Sequence, residues 1–281
     1  MNGLAETFAR MSSNARDNSS AWDEYRDETD GLMHCSRCRQ PREIRFVLFG
    51  REMQEHCTCK CQEEELRRQQ QERNEQKRLE RLAQLRKQGF EESAMQELTF
   101  AADDGKSPKI KQAAMKYCER FAEIREQGLG LCIYGNVGRG KTFTAACIAN
   151  ELIDKGYAVM MTNFQWIINR MQESFEGRQR YLDELNGFDL LIIDDLAAER
   201  DTEFVNEIVY TVIDSRYRLK RPLIVTTNIT PSEMQAVKEM SRKRIYSRVL
   251  EICHPLEIIG IDRRKQAAVN KMSELSKLLG V

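Results

Sequence analysis

The stretch Leu131–Leu152, LCIYGNVGRGKTFTAACIANEL, decides the fold. A short apolar run ends in a glycine-rich turn, then Lys-Thr, then a helix-like pattern. Residues 135–142, GNVGRGKT, satisfy G-x-x-x-x-G-K-[ST]. Such glycines let the backbone curl. Gly135, Asn136, Val137, Gly138, Arg139 and Gly140 can then turn successive N–H groups toward phosphate oxygens. The helix that follows adds its positive N-terminal end. Lys141 can reach the β- and γ-phosphates, and the Thr142 hydroxyl can bind Mg²⁺. Arg139 stands where a small or hydroxylated side chain is common. It is expected to face solvent or a neighbouring subunit.

A phosphate loop of this kind needs an acidic partner at the end of another buried strand. FDLLIIDDL, residues 188–196, supplies one. Asp194 is expected to hold Mg²⁺ through water. Asp195 is expected to orient and polarise the attacking water, so water is the phosphoryl acceptor. One apolar run, Tyr157–Met161, lies between the loop strand and the Asp-Asp strand. That is a hydrolase-type order rather than that of a small-molecule kinase. Further on, PLIVTTN ends in Asn228, whose amide could sense a γ-phosphate and position water, or open a turn. SRKRIYSRVLE brings Arg242, Lys243, Arg244 and Arg248 onto one probable helix. One of them could cross a subunit boundary as an arginine finger, or the run is a basic surface patch. IIGIDRRKQAA places Arg263 and Arg264 after the last strand, where a cis arginine could touch the nucleotide.

The strands expected around this site are Leu131–Tyr134, Tyr157–Met161, Asp189–Ile193, Pro222–Thr226 and Leu256–Ile261. Helix-like segments separate them. In Thr202–Arg218, Phe204, Val205, Ile208, Val209, Val212 and Ile213 recur on one face. Short apolar strands alternating with amphipathic helices imply an α/β fold with a parallel sheet covered on both faces.

Composition sets the outer bounds. The chain has 281 residues, 41% hydrophobic and 31% charged, with no formal net charge. Residues 1–30 carry three basic and seven acidic side chains, and residues 31–61 six basic and three acidic. No whole-chain attraction to nucleic acid follows. No apolar run approaches membrane-spanning length. The start, MNGLAETFARMSSNARDNSS, lacks the basic region and apolar core of a signal peptide. A cytoplasmic protein without a membrane partner is expected. Nine cysteines then point to metal or buried thiols rather than disulfides.

Five of those cysteines fall in residues 31–61 as Cys35-x-x-Cys38 and Cys57-x-Cys59-x-Cys61. The two groups flank an apolar, strand-like stretch, IRFVLFG. This spacing suits tetrahedral Zn²⁺. Cys35, Cys38, Cys59 and Cys61 are the expected ligands, with Cys57 the alternative and His34 or His56 weaker ones. The other cysteines, Cys118, Cys132, Cys147 and Cys253, are scattered, and burial accounts for those on core faces. Residues 62–88 are strong helix formers without an apolar stripe, so a solvated linker helix is expected. The expected division is a flexible acidic N-terminus (1–30), a zinc module (31–61), a linker helix (62–88) and an ATPase domain (89–281).

The loop, LLIIDDL, IVTTNI, RIYSRVLE and GIDRR, in this order and spacing, resemble the AAA+ ATPases of the DnaC/DnaI helicase-loader and IstB group over about residues 98–264. The resemblance implies a five-stranded parallel sheet in the order 5-1-4-3-2 with a reduced C-terminal lid. It makes Lys141 and Thr142 part of Walker A, and Asp194 and Asp195 Walker B. Asn228 becomes sensor 1, Arg248 the arginine finger and Arg264 a sensor-2-like arginine. Thr99-Phe100 matches the segment that packs near the base. Arg139 departs from the pattern in a way that bears on turnover rate. By resemblance the cofactors are ATP and Mg²⁺, beside the Zn²⁺ read from the cysteines. The implied partners are a DnaB-like hexameric replicative helicase gripped by residues 1–88, single-stranded DNA, and other copies of the chain through the AAA+ domain. The implied role is loading that helicase as a prophage- or phage-type loader, with slow hydrolysis unless assembled. An IstB-like transposition helper and a zinc-dependent DNA-binding regulator with an ATP switch are the alternatives.

Overall fold

The computed structural model describes residues 24–172, 175–198 and 202–279. Most of the segment expected to be a flexible acidic N-terminus lies outside the described residues. The chain divides into two compact units, residues 1–78 and 79–281.

In the first unit β1 (Glu24–Arg26) pairs antiparallel with β2 (Met33–Cys35). A hairpin follows, β3 (Glu43–Leu48) with β4 (Arg51–His56). The expected apolar strand therefore becomes β3 and brings a partner with it. Phe49 and Gly50 form its two-residue turn, both at positive φ (51° and 74°), which matches the strand twist. Helix α1 runs Lys60–Gly89, slightly longer than expected at each end. It carries ion pairs such as Arg78–Glu75 and presents little apolar surface.

The second unit opens with 3₁₀ turns at Ser93–Glu97 and Phe100–Ala102, then α2 (Pro108–Glu119) and α3 (Phe121–Gln127). Strand β5 (Gly130–Tyr134) leads through the glycine-rich loop into α4 (Lys141–Asp154). Then come β6 (Val159–Asn163), α5 (Phe164–Met171), α6 (Phe175–Gly187), β7 (Leu190–Leu196), α7 (Glu203–Arg218) and β8 (Leu223–Thr227). The chain ends with α8 (Pro231–Ala236), α9 (Met240–Ile252), β9 (Cys253–Glu257) and α10 (Arg263–Leu279).

The sheet order is β6-β7-β8-β5-β9, and every pairing in it is parallel. Counted from the first strand of this unit, that is 5-1-4-3-2, as the resemblance implied. Alternate strand residues feed two cores. Leu191, Ile193 and Val225 pack on one side with α5, α7 and α9. Leu190, Ile192 and Ile224 pack on the other with α2 and α4. A residue-by-residue alternation of this kind puts both faces under helices and leaves the strand ends open for a site.

Two strands sit away from their expected places. Strand β6 starts at Val159, because Tyr157 N–H still closes the end of α4 by donating to Leu152 O at 3.1 Å. It runs on to Asn163, whose side chain then caps α5 by accepting from Trp166 N. Strand β9 is Cys253–Glu257 rather than Leu256–Ile261. It follows α9 directly and contains Pro255, which an edge strand tolerates because no outer partner needs its N–H. After β9 the described chain continues into α10. No described helix is long and apolar enough to cross a membrane.

Candidate functional site

The carboxyl ends of β5, β7 and β8 meet at a cleft of about 370 Å³. Val137, Gly138, Gly140, Lys141 and Thr142 line it from the loop and α4, Asp194 and Asp195 from β7, Asn228 from the end of β8, and Arg264 from α10. The loop conformation depends on its glycines. Gly138 and Gly140 hold φ of 79° and 98°, a region unfavourable to other residues. A Cβ on Gly138 would also come within 1.9 Å of Asp262 Oδ1.

Lys141 is buried, and its Nζ donates to Gly135 O at 2.9 Å, Asn136 O at 3.1 Å and Asn228 Oδ1 at 2.6 Å. Burial lowers its pKa, which the charges of Asp195 and Asp194 partly oppose. Thr142 Oγ1 donates to Asp194 Oδ2 at 3.1 Å. Burial raises the Asp194 pKa, while hydrogen bonds from Thr226 and Thr142 hold it down. Hydroxyl and carboxylate oxygens at this spacing are hard donors of the kind Mg²⁺ takes, and the open loop with its buried ammonium fits a triphosphate.

Strand β7 breaks register between Ile193 and Leu196. Asp195 sits at φ 59° and Ala197 at φ 77°. An aspartate accepts this conformation more readily than most residues, and it turns both carboxylates into the cleft. Thr226 fixes the pair. Its hydroxyl donates to Asp194 Oδ1 at 2.6 Å and accepts from Asp195 N–H at 2.8 Å. Asn228 Nδ2 lies 3.4 Å from Asp195 Oδ1, so the same amide touches both Lys141 and Asp195.

The remaining expected residues are placed as follows. Arg264 is exposed and lines the cleft. Arg263 also reaches it but is engaged, with Nη2 3.0 Å from Asp104 and its N–H on Gly138 O. Phe100 and Arg139 line a smaller adjoining cavity with Asp103, Phe143 and Arg263 instead. Arg139 is half-buried. Arg248 is not among the cleft residues. It lies on α9 with Nε 3.3 Å from Asp214 and its guanidinium 4.1 Å above the Tyr217 ring. Arg242, Lys243 and Arg244 sit on the same helix, the last two exposed.

In the first unit the Sγ atoms of Cys35, Cys38, Cys59 and Cys61 all lie within 4.8 Å of one another. Four thiolates on one Zn²⁺ at Zn–S ~2.3 Å would stand about 3.8 Å apart, so a small contraction closes the site. Cys57 Sγ donates to Pro41 O at 3.4 Å and lies outside this group. His34 is turned to Asp30 and Arg39 O. A backbone hydrogen bond from Gln40 lowers the Cys38 thiol to about 7. The hydrogen bond with Cys38 is the main reason the Cys61 thiol is pushed up to about 11.

Sequence reasoning missed Thr226, Leu98, Phe143 and Asp262. For Thr226 a signal existed: two hydroxyl residues end an otherwise apolar buried strand. Asp262 was legible as a helix cap, since it accepts from Lys265 N–H at the start of α10.

Two substitutions test this geometry. Asp195→Asn should keep nucleotide affinity but slow hydrolysis about 10²-fold or more, the typical worth of a positioned base. Normal hydrolysis by that variant would remove Asp195 from the base role. Thr226→Val keeps the shape of strand β8 but strips both hydrogen bonds. It should raise the Mg²⁺ concentration needed for half-maximal turnover, measured by metal titration at saturating nucleotide. An unchanged Mg²⁺ requirement would count against the clamp.

A phosphate loop on the first strand, an acidic pair on the third and a polar amide on the fourth, in the sheet order 5-1-4-3-2, define a P-loop ATP-binding protein of AAA+ type. The sequence matches the IstB-like ATP binding protein family over residues 51–271, and the chain belongs to that family. It is 29% identical over 150 residues to the replicative helicase loader DnaI of Bacillus subtilis, covering 49% of this chain and 48% of that protein. It is 29% identical over 141 residues to the replicative helicase loader DnaC of Escherichia coli K12, covering 48% and 56%. The chain thus spans about half the length of the curated relatives it matches. Among solved structures, a DnaC helicase loader shares the fold at TM-score 0.53 and 19% identity, over 60% of this chain and 100% of that one.

Proposed function

We propose that the chain is an ATPase that loads a hexameric DnaB-like replicative helicase onto single-stranded DNA. The observation that carries this reading is its likeness to two replicative helicase loaders, DnaI and DnaC, and beside that likeness the chain's cleft holds both Walker elements. In this reading Lys141 and the loop amides bind the triphosphate, and Thr142 and Asp194 would hold Mg²⁺, which would supply charge neutralisation to the phosphates. Asp195 accepts the proton of the attacking water, and Asn228 positions that water. Arg264 answers the γ-phosphate in cis, and Arg248 answers it from a neighbouring copy. Phe100 belongs to the segment beside the base.

The N-terminal module (31–61) is the partner-binding part, joined by the linker helix to the ATPase domain (89–281). Cys35, Cys38, Cys59 and Cys61 hold one Zn²⁺ there. Purified protein should carry about one Zn²⁺ per chain, as a structural site of four cysteines does. Cys38→Ser should release the metal and unfold the N-terminal module while the ATPase domain, with its own two cores, still melts cooperatively. Metal-free protein with an ordered N-terminal module would overturn the zinc assignment.

A second reading is an IstB-like transposition helper, favoured by the family match itself. Pull-down with the tagged full chain separates the two. Recovery of the replicative helicase supports the loader, and recovery of a transposase without helicase supports the helper.

A further inference from the structure

Asn150 lies in α4, about two and a half turns beyond Lys141. Its neighbours Ala146, Ala149, Leu152 and Ile153 are all fully buried, and Asn150 itself is 1% exposed. An amide in that setting has to be hydrogen-bonded or it opposes folding. Its Nδ2, with two protons to give, lies within hydrogen-bond distance of Met95 O at 2.9 Å, Leu98 O at 2.9 Å and Ala146 O at 3.0 Å. The side-chain oxygen has no partner. The amide is therefore held by what its nitrogen grips, and two of those three acceptors belong to a different segment of the chain.

That segment, the 3₁₀ turn Ser93–Glu97 and Leu98, also packs Met95 and Leu98 on the core and donates from Gln96 Nε2 to Arg86 O at 3.3 Å, but among the described residues Asn150 alone grips its backbone carbonyls at both Met95 and Leu98. Neither end carries a side-chain cap. Its own backbone bonds are Met95 N–H to Glu92 O at 3.1 Å and Leu98 N–H to Met95 O at 3.3 Å. Leu98 nevertheless lines the same cleft as Lys141, Thr142 and Arg264. A leucine cannot recognise phosphate. The part of a nucleoside triphosphate that suits an apolar wall is the flat face of the base.

We propose that Asn150 is a positioning residue for the nucleotide base: its amide fixes Met95–Leu98 so that Leu98 walls the cleft. It thereby gives the chain its preference for a base-bearing triphosphate over bare polyphosphate. The inference rests on the ATP reading of this cleft. It also ties the helix that starts at the phosphate loop to the segment that follows α1, so both ends of the ligand are read through one helix.

The test is calorimetric titration of the full-length protein with Mg-ATP and, separately, with Mg-tripolyphosphate, which offers the phosphates without a base. Asn150→Ser, too short to span both carbonyls, should weaken ATP about tenfold, the equivalent of ~1.4 kcal/mol. Its tripolyphosphate affinity should change less than about twofold. Leu98→Ala should show the same split, and the double variant should be no worse than either single one, because all three remove one wall. Should Asn150→Ser fail to fold, Asn150→Thr joined to the Leu98→Ala series carries the same comparison. Equal weakening of both ligands, additive losses in the double variant, or unchanged ATP affinity would overturn the inference. A wild-type chain that binds neither ligand would instead overturn the nucleotide site, and the inference with it.

Discussion

Turnover of ATP per chain should rise with protein concentration, and Arg248→Ala should flatten that rise while leaving ATP affinity nearly intact. Arg248 is too far round the domain to line its own cleft. Its Nη1 lies 3.5 Å from Glu251, and the Tyr217 hydroxyl donates to the same carboxylate at 2.6 Å. With Asp214 on its other side and the ring beneath, the guanidinium is held in place with its side chain 32% exposed. Under the proposed finger role this arginine would meet a neighbour's γ-phosphate, and an arginine finger can supply ~10³-fold or more in rate. Isolated monomers should therefore hydrolyse slowly. Single-stranded DNA or helicase that aligns subunits should accelerate them. Mixing Arg248→Ala chains with Lys141→Ala chains should restore part of the activity, because the second lends its finger to the intact pocket of the first. If the mixture stays inactive while both variants still assemble, Arg244 becomes the candidate.

Lys141→Ala should abolish nucleotide binding in direct titration. The ammonium already uses all three of its protons inside the cleft, on two loop carbonyls and on Asn228. Removing it leaves Asp194 and Asp195 as a cluster of negative charge facing where phosphate would enter. Hydrogen bonds to charged groups are worth about 1.5–3 kcal/mol each, so losing this one cation should cost several powers of ten in affinity. The substitution also frees Asn228, so the variant should remain folded with a similar melting temperature. ATP affinity within about tenfold of wild type would remove Lys141 from the phosphate-binding role.

Much of this architecture was legible before any coordinates. Short apolar runs, LCIY, LLII and PLIV, between glycine or polar punctuation mark β5, β7 and β8, and LLIIDDL ends where the cleft is. Edge and corner elements were harder. Strand β9 reads CHPLE, exposed at most positions, and neither alternation nor β-branching announces it. The hairpin strand β4, REMQEH, is exposed throughout. The phosphate loop, both aspartates, Asn228 and the cysteine pairs could be read because their chemistry dictates residue type and spacing. Thr226 and Asn150 could not be read with the same ease, since their roles depend on what stands opposite them in space. Asn150 looks like a solvent-facing residue on a helix until the 3₁₀ turn is seen against it. Arg216 is the same kind of case: fully buried in α7, it donates to the carbonyls of Leu185, Phe188 and Pro222. Residue type alone would have placed it outside.

The functional reading stands or falls on whether this chain engages a replicative helicase through its nucleotide state. The direct measurement is light scattering on the protein mixed with a hexameric DnaB-like replicative helicase, with ATP, with ADP and without nucleotide. A large complex is expected whose mass or lifetime changes between ATP and ADP, and a Lys141→Ala chain should no longer distinguish them. A helicase hexamer that scatters as itself under all three conditions, with well-folded protein present in excess, would contradict the functional reading.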